Sequence, residues 1–401
     1  MIINGNNIEE LKKFDDNYFD SIVTDPPYEI GFMGKSWDAS GIANNPEMWS
    51  ECLRVLKPGG YLLSFSATRT YHRMAVAIED AGFEIRDMIE WVYGSGFPKS
   101  LNVGKAVARL QGKDIPKTKG FNVAGQGTAL KPAHEPICMA RKPLAEKTVA
   151  ENCLKYGTGG INIDESRVGF LENEPYQLEG KVRPNKSDDI KWQGAPQIQG
   201  WKPSTGRFPA NLIHDNSEEV RECFPETHSS GNYTRKTKAL DSWFGGTGNI
   251  GDVKEDFDNG GNASRFFKSI IYQAKASKSE RNKGCEGLEK KHRILSNQAK
   301  AELKRGNDGY KEENGKLQMG GRIPQQNNHP TVKPVALMKY LCRLITPSNG
   351  IVLDPFMGSG STGVACVLND FEFVGIDLDK DYCEIARARI EGVKETQTKI
   401  F

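Results

Sequence analysis

The tetrapeptide Asp25-Pro26-Pro27-Tyr28 combines residue types that could bind and activate an amine. It follows an apolar run, residues 19–23, that is typical of a short buried strand. The aspartate offers a carboxylate that only accepts hydrogen bonds, the prolines leave their carbonyls free as acceptors, and the tyrosine adds a flat face with a polar tip. Together these groups suit a pocket for a planar ring that carries an amino group.

Methyl transfer to the exocyclic nitrogen of a nucleobase needs such a pocket, because the lone pair of that nitrogen is delocalised into the ring. If Asp25 accepts one N–H and the Pro26 carbonyl accepts the other, the nitrogen is drawn toward tetrahedral geometry and can face a methyl donor. Tyr28 would stack on a base extruded from the duplex. The structural alternative is a proline-rich turn with a packing tyrosine.

A second chemical stretch, residues 354–363, is a glycine loop between a strand and a helix. Its glycines let the backbone approach a ligand closely at a helix start. The loop contains G-x-G-x-x-G and Asp377 ends the next strand, a pattern that alone also fits a nicotinamide dinucleotide. Because an acid and a phenylalanine lead into the loop, an ammonium group and an adenine ring fit better, which favours S-adenosylmethionine.

Residues 25–28 resemble the catalytic motif of DNA amino-methyltransferases, in the form typical of adenine-specific members. Further stretches follow the motif order of the beta group of that family, and phage and mobile-element adenine methylases look most similar. The resemblance spans most of residues 1–142 and 329–393. It implies catalytic roles for Asp25, Pro26, Pro27 and Tyr28.

The same resemblance implies a set of cofactor-binding residues. Phe356, Gly358 and Gly360 match the motif F-x-G-x-G. By this resemblance Asp354 would face the methionine amino group, and Asp377 would accept hydrogen bonds from the ribose hydroxyls.

Two other segments extend the expected cofactor site. Within residues 329–334, Thr331 and Lys333 would hold the methionine end. Asn6 stands where the family often has an aspartate, and its amide oxygen can still accept a hydrogen bond from the adenine amino group. Residues 134–137 also resemble a family segment, which we interpret as structural. We expect no metal site, because no ligand cluster accompanies His329.

The elements that must position these residues are strands alternating with helices. Five strands are predicted before residue 143 and two after residue 328, with a turn at residues 57–60. Such alternation predicts an α/β fold with an open, mostly parallel sheet covered on both faces. The resemblance makes this a Rossmann-like, circularly permuted class I methyltransferase sheet of seven strands. Asp25, Asp354 and Asp377 each close a strand, so all three should meet at one edge.

The middle of the chain differs in composition, with more glycine, asparagine and lysine than the two ends. We therefore expect three regions: residues 1–142 as the catalytic half, 143–328 as an inserted target-recognition region, and 329–401 as the S-adenosylmethionine-binding half. The later part of the insertion is basic, which suits phosphate contacts. Residues 264–267 and 275–281 are the candidate DNA-facing surface, and solvated lysines around a small aromatic core are the alternative.

Composition sets limits on the remaining functions. With 401 residues the chain has no apolar run near the roughly 18 residues of a membrane span, and its first residues lack signal-peptide features. The eight cysteines form no C-x-x-C pair, so neither zinc nor a disulfide framework is indicated, and a reducing cytoplasm is expected. A net charge of +2 requires any nucleic-acid surface to be local.

The leading hypothesis is a site-specific DNA methyltransferase that uses S-adenosylmethionine to methylate the N6 amine of adenine. Methylation of the cytosine N4 amine is the runner-up, although serine is the usual first motif residue there. A nicotinamide-dependent oxidoreductase and a catalytically silent DNA-binding module are alternatives of other classes. The expected partner is double-stranded DNA and not a membrane, in restriction protection or epigenetic marking; a homodimer and a cognate restriction enzyme are left open.

Overall fold

A nine-stranded sheet organises the chain in this computed structural model, which describes residues 1–31, 36–94, 96, 100–112, 126–169, 206–227, 233–234, 254–255, 261–270, 278–290, 310–313, 316–319 and 326–398. The strands of this sheet are β1 (Ile2–Asn4), β2 (Phe19–Thr24), β3 (Leu56–Phe65), β4 (Glu84–Val92), β5 (His134–Arg141), β6 (Leu212–His214), β7 (Lys268–Ser269), β8 (Ile351–Asp354) and β9 (Glu372–Asp377). Their spatial order is β1-β9-β8-β2-β3-β5-β4-β6-β7. Strand β5 is antiparallel to both of its neighbours, and the other pairs in the order are parallel.

The predicted α/β fold with a mostly parallel sheet is confirmed, and all seven predicted strands are present. Strands β6 and β7 come from the middle of the chain and extend the sheet beyond β4. Short antiparallel pairs also occur there: Val168–Gly169 with Gly206–Arg207, Glu226–Thr227 with Gly261–Asn262, Tyr233–Thr234 with Lys254–Glu255, and Tyr310–Glu313 with Lys316–Met319. The division into three regions stays a prediction.

Helices connect the strands on both sides of the sheet. They are α1 (Asn7–Leu11), α2 (Pro46–Val55), α3 (Tyr71–Asp80), α4 (Val103–Leu110), α5 (Val149–Tyr156), α6 (Glu218–Arg221), α7 (Lys278–Asn282), α8 (Val335–Ile345), α9 (Ser361–Val367) and α10 (Lys380–Thr398). Single 3₁₀ turns occupy Ser36–Ala39, Ile42–Asn44, Asp164–Ser166 and Ala263–Phe266. Helix α2 shows why these boundaries form: Asn45 caps its first turn by accepting from the Glu47 N–H at 3.0 Å, and Pro46 occupies its first position.

Two apolar clusters cover the two faces of the sheet. On β3, Leu63 and Phe65 point into the cluster that contains the buried residues of α8, α9 and α10. Leu62 points into the opposite cluster, with residues of α1, α2 and α3. This alternation follows from the two-residue period of a strand. With both faces covered, the carboxyl edge of the sheet is the part that presents side chains to a ligand.

The turn predicted at residues 57–60 is wrong, because strand β3 already begins at Leu56. Phe19 pairs with Leu56 and Ser21 with Tyr61, so the register shifts across this segment. Gly59 absorbs the irregularity with a φ of +78°, a conformation that favours glycine. The segment is therefore a bulge within a strand.

Two residues of the candidate DNA-facing surface in the middle of the chain, Ser264 and Arg281, do not face solvent. Ser264 is buried and its carbonyl contacts the His214 ring at 3.1 Å, so it faces the fold. Arg281 is buried as well, and its guanidinium donates to the His329 carbonyl. Residues 275–277 of that surface lie outside the described residues. No helix within the described ranges has both the length and the apolar character to cross a membrane.

Candidate active site

A cavity of about 1180 Å³ lies at the carboxyl edge of the sheet. It is lined by residues 25–28, which follow β2, and by the glycine loop that begins at the end of β8. These two strands are neighbours in the sheet. Of the residues predicted for the site, those that line the cavity are Asn6, Asp25, Pro26, Pro27, Tyr28, Thr331, Lys333, Asp354, Phe356, Gly358 and Asp377. The two halves predicted to face each other therefore share one cavity.

Four side chains form a hydrogen-bonded cluster at the catalytic motif. Lys333 Nζ donates to Asp25 Oδ2 at 2.6 Å and to the Tyr28 hydroxyl at 3.0 Å. The Tyr28 hydroxyl donates in turn to Glu135 Oε2 at 2.8 Å, and Lys333 Nζ lies 3.4 Å from the same oxygen. One ammonium group thus lies between two carboxylates.

Asp25 keeps one oxygen for a further partner. Its Oδ1 is buried and has no hydrogen-bond partner among the described residues, while Oδ2 is held by Lys333. Burial raises the pKa of the Asp25 carboxyl, and the positive charge of Lys333 opposes that shift. Burial favours the neutral amine of Lys333, but Asp25 and Glu135 outweigh it and raise the pKa of the lysine. The lysine therefore stays charged beside the aspartate.

The backbone of Tyr28 is fixed on both sides. The Tyr28 N–H donates to Asp38 Oδ1 at 2.7 Å, and Thr70 Oγ1 donates to the Tyr28 carbonyl at 2.7 Å. Asp38 itself is buried. Trp37 and Ile42, which lie on either side of Asp38 in the chain, line the cavity. The aromatic ring is thus held in one position at the cavity wall.

The glycine loop packs tightly against its neighbours. Gly358 has a φ of +52°, and a Cβ added there would lie 2.8 Å from His329 Nε2. The Gly358 N–H donates to Asp377 Oδ2 at 2.8 Å, which joins the loop to the end of β9. Glycine is required here both by the backbone conformation and by the close approach of the histidine ring.

Asp354 and Asp377 are the carboxylates of this half of the cavity. Asp354 is buried and accepts from Thr24 Oγ1 and Thr362 Oγ1, each at 2.6 Å. Burial raises its pKa to about 7, although these hydroxyls and the Phe356 N–H favour the ionised form. Burial likewise raises the pKa of Asp377 to about 6. Both groups are therefore acids whose charge changes near neutral pH.

Three predicted cofactor residues differ from expectation in their contacts. The Asn6 amide oxygen caps α1 by accepting from the Ile8 and Glu9 N–H groups, so its acceptor capacity is already used. Lys333 lies with its ammonium at the catalytic motif. Gly360 is absent from the cavity lining; a Cβ there would lie 2.8 Å from the Ala386 Cβ, so it serves helix packing.

Sequence reasoning missed two residues of the site. Glu135 was interpreted as structural, but it lines the cavity and contacts Tyr28. Arg389 of α10 is buried, and its guanidinium donates to the Ser359 carbonyl at 2.7 Å, which supports the glycine loop. The family-like segment around Glu135 was the available signal for the first residue. Nothing in the local sequence marks an arginine within a long polar helix as buried.

Comparison with known proteins identifies the family. A sequence model described as DNA methylase matches residues 19–388, which is most of the chain. The chain therefore belongs to the DNA methylase family. Membership favours a methyl donor over the nicotinamide cofactor that the glycine pattern alone also allows.

Individual relatives match shorter segments. The type II methyltransferase M.HindIII of Haemophilus influenzae is 28% identical over 206 residues, covering 40% of this chain and 64% of its own length. The type II methyltransferase M2.DpnII of Streptococcus pneumoniae is 44% identical over 68 residues, covering 17% of this chain and 25% of its own length. The DNA adenine methyltransferase YhdJ of Escherichia coli is 36% identical over 69 residues, covering 17% and 24%. The chain thus spans less than two thirds of these relatives.

Two solved structures align over nearly the whole chain. The M1.HpyAVI–SAM complex shares 16% identity, covers 97% of this chain and 98% of its own, and has a TM-score of 0.41. The cytosine-N4-specific PvuII DNA methyltransferase shares 11% identity, covers 100% and 91%, and has a TM-score of 0.44.

Proposed function

We propose that this protein transfers a methyl group from S-adenosylmethionine to the N6 amine of adenine in DNA, at a specific sequence. The observation that carries the proposal is the state of Asp25, which has one oxygen held by Lys333 and the other buried without a partner at the cavity. A buried acceptor left open is costly unless a ligand donates to it. An amino group of a flipped base is such a donor.

The glycine half of the cavity suits S-adenosylmethionine. Asp354 offers a buried carboxylate that would hold the ammonium of the methionine end, and Asp377 would accept from ribose hydroxyls. The buried carboxylate of Asp354, directly before the glycine loop, would repel a pyrophosphate, which argues against a dinucleotide. Phe356 supplies an apolar face for the adenine ring, and Thr331 lies on the same cavity wall.

The bound cofactor would supply a methyl group activated on a sulfonium. Asp25 Oδ1 and the Pro26 carbonyl would accept the two N–H groups of the base amine and turn its lone pair toward that methyl group. These acceptors also stabilise the positive charge that develops on the nitrogen. Tyr28 would stack on the extruded base, and its fixed backbone and hydroxyl keep the ring in place.

The choice of adenine over cytosine rests on Asp25, since the first motif residue is typically aspartate in adenine-specific members. YhdJ, named a DNA adenine methyltransferase, supports the choice over the segment it shares with this chain. Residues 143–328 are proposed as the target-recognition region. The homodimer, the restriction enzyme and the link to phages stay predictions. A reducing cytoplasm is the proposed location, supported by eight free cysteines.

The test is to express the chain in a host without its own DNA methylation and to sequence the genome for methylated bases, with nucleoside mass spectrometry in parallel. N6-methyladenine at one recurring sequence supports the proposal, and N4-methylcytosine would establish the runner-up. Asp25→Ala should abolish the signal, while the exposed control Asp16→Ala should retain it. Absence of any mark from a folded chain that binds the cofactor would identify a silent DNA-binding module.

A further inference from the structure

The ammonium group of Lys333 contacts the catalytic motif, although the proposed methyl transfer does not by itself require a positive charge there. Lys333 is buried, its Nζ lies over the Phe65 ring at 4.8 Å from the ring centre, and the same atom donates to Asp25 at 2.6 Å. It comes from the segment before α8, more than 300 residues from Asp25 along the chain. At this distance the positive charge of Lys333 acts directly on the protonation of the Asp25 carboxylate.

That effect concerns the proton of Asp25. A buried carboxyl without a positive neighbour tends to keep its proton near neutral pH, because desolvation penalises the charged form. A protonated carboxyl presents a hydroxyl and could not offer both oxygens as acceptors. The short contact with Lys333 favours the ionised form and occupies Oδ2, which leaves Oδ1 for the amine.

Glu135 acts on the same group with the opposite sign. It lies 3.4 Å from Lys333 Nζ and accepts from the Tyr28 hydroxyl, so it orients both neighbours of Asp25. Its negative charge also disfavours ionisation of Asp25. Within the described ranges, the Tyr28 hydroxyl and, at the end of β8, Asp354 are the other titratable groups that interact with Asp25.

Building on the proposed function, we propose that Lys333 and Glu135 are positioning residues that together set the ionisation of Asp25: Lys333 holds the carboxylate charged, and Glu135 aligns Lys333 and limits its effect. This role differs from the one that the family resemblance implies for Lys333, which is to hold the methionine end of the cofactor. The two roles predict different results for cofactor affinity.

The experiment compares the pH dependence of methyl transfer in the wild type, in Lys333→Met and in Glu135→Gln, using duplex DNA that carries the recognition sequence. In Lys333→Met the acidic limb of the kcat–pH profile should move to higher pH by about one to three units, because the positive charge that opposes the effect of burial on Asp25 is then gone. In Glu135→Gln the limb should move to lower pH, by a smaller amount. Lys333→Arg should restore a limb close to that of the wild type. The cofactor dissociation constant, measured by calorimetry, should change less than about twofold in each variant, which is a minor change in binding free energy.

Lys57→Met is the matched control, because Lys57 Nζ also lies 2.6 Å from an aspartate, Asp20, but at the other edge of the sheet. This variant should lose stability and keep the wild-type limb. The proposal is overturned if the limbs of Lys333→Met and Glu135→Gln move in the same direction or stay in place, or if cofactor affinity falls more than tenfold in Lys333→Met.

A measurement that needs no activity separates this proposal from the proposed function. Carbon-13 NMR of labelled aspartate carboxyls, with the Asp25 signal assigned through Asp25→Asn, reports the same ionisation in the cofactor-free protein. Opposite shifts of that signal in Glu135→Gln and Lys333→Met support the inference even if the wild type leaves DNA unmodified, a result that would refute only the function. If Lys333→Met does not fold, Glu135→Gln still decides, since an unshifted signal there contradicts the proposal.

Discussion

Thr24 Oγ1 donates a 2.6 Å hydrogen bond to Asp354 Oδ1, which joins the last residue of β2 to the last residue of β8. The catalytic motif begins at the next residue after Thr24, and the glycine loop begins directly after Asp354. Both groups are buried. Besides the pairing of the two strands, one direct bond between residues 330 positions apart therefore joins the segment of residues 25–28 to the glycine loop.

Replacing Thr24 by valine should weaken both the fold and the cofactor site. Valine has a similar shape but no donor, so a buried carboxylate loses a charge-assisted bond worth about 1.5–3 kcal/mol. Because the Thr24 hydroxyl favours the ionised form of Asp354, its loss should raise the pKa of Asp354 further. Urea unfolding measures the stability loss, and calorimetry at pH 7 should show weaker S-adenosylmethionine binding.

Ser21→Ala is the control for that variant. Ser21 lies on the same strand, and its hydroxyl is 2.8 Å from the Thr346 hydroxyl in an equally buried but neutral pair. Removing it should cost about 1 kcal/mol of stability and leave cofactor affinity unchanged. Equal loss of cofactor affinity in both variants would show that the Thr24 effect is a general loosening of β2.

Cofactor affinity should depend on pH through Asp354. Burial raises the pKa of this carboxyl to about 7, so it is largely ionised at pH 8 and largely protonated at pH 6. An ammonium ligand binds the ionised form, and the dissociation constant of S-adenosylhomocysteine should therefore rise about tenfold from pH 8 to pH 6. Calorimetry at half-unit intervals of pH locates the midpoint.

Two variants assign that midpoint. Thr362→Val removes a hydroxyl that favours the ionised carboxylate of Asp354, and it should move the midpoint to higher pH. Asp377→Asn removes the group with a pKa of about 6 and should leave a step near 7. The stability of the cofactor-free protein has the opposite pH dependence. Because the native pKa of Asp354 exceeds the unfolded value, this group lowers the free energy of unfolding as pH rises from 4 to 7. A cofactor affinity that does not change with pH would contradict the assignment of the midpoint to Asp354.

The elements of the sheet could be predicted because local patterns determine them. In β8, Val352 and Leu353 point into opposite clusters, and this two-residue alternation is visible in the sequence. The position of three aspartates at one edge followed from the strand ends, since parallel strands bring their carboxyl ends together. The bulge at residues 57–60 could not be predicted, because its glycines are equally typical of a turn.

Side-chain partners across the sheet could not be predicted in the same way. Glu135 reaches Tyr28 because β5 runs antiparallel beside β3, and the sequence does not specify that neighbour or its register. The Asn6 amide was expected at the cofactor, but capping satisfies two N–H groups of α1 that would otherwise lack partners. In both cases the hydrogen-bond partner of the side chain is the polar group that lies nearest to it in the folded chain, which the local sequence does not specify.

Gly358→Ala should impair the cofactor loop through a clash with His329. The added Cβ would lie 2.8 Å from His329 Nε2, in a backbone conformation with a φ of +52°. Gly157→Ala is the control, because its φ is +77° and a Cβ there meets nothing within 4 Å. Both variants should lose about 1–2 kcal/mol of stability from backbone strain. The Gly358 variant should in addition lose cofactor affinity by calorimetry, and equal affinities would exclude an effect of the clash.

Substitutions of Tyr28 should separate the contribution of its ring from that of its hydroxyl. Tyr28→Phe keeps a face for the base and removes the bonds to Glu135 and Lys333, so kcat should fall about tenfold. Tyr28→Ala also removes the stacking surface, which is worth about 1–3 kcal/mol per base, and should lower kcat and DNA affinity much further. Single-turnover kinetics with excess enzyme and a fluorescent base analogue at the target position measure both steps. If the phenylalanine variant is as inactive as the alanine variant, the hydroxyl network is the main function of Tyr28 and base stacking contributes little.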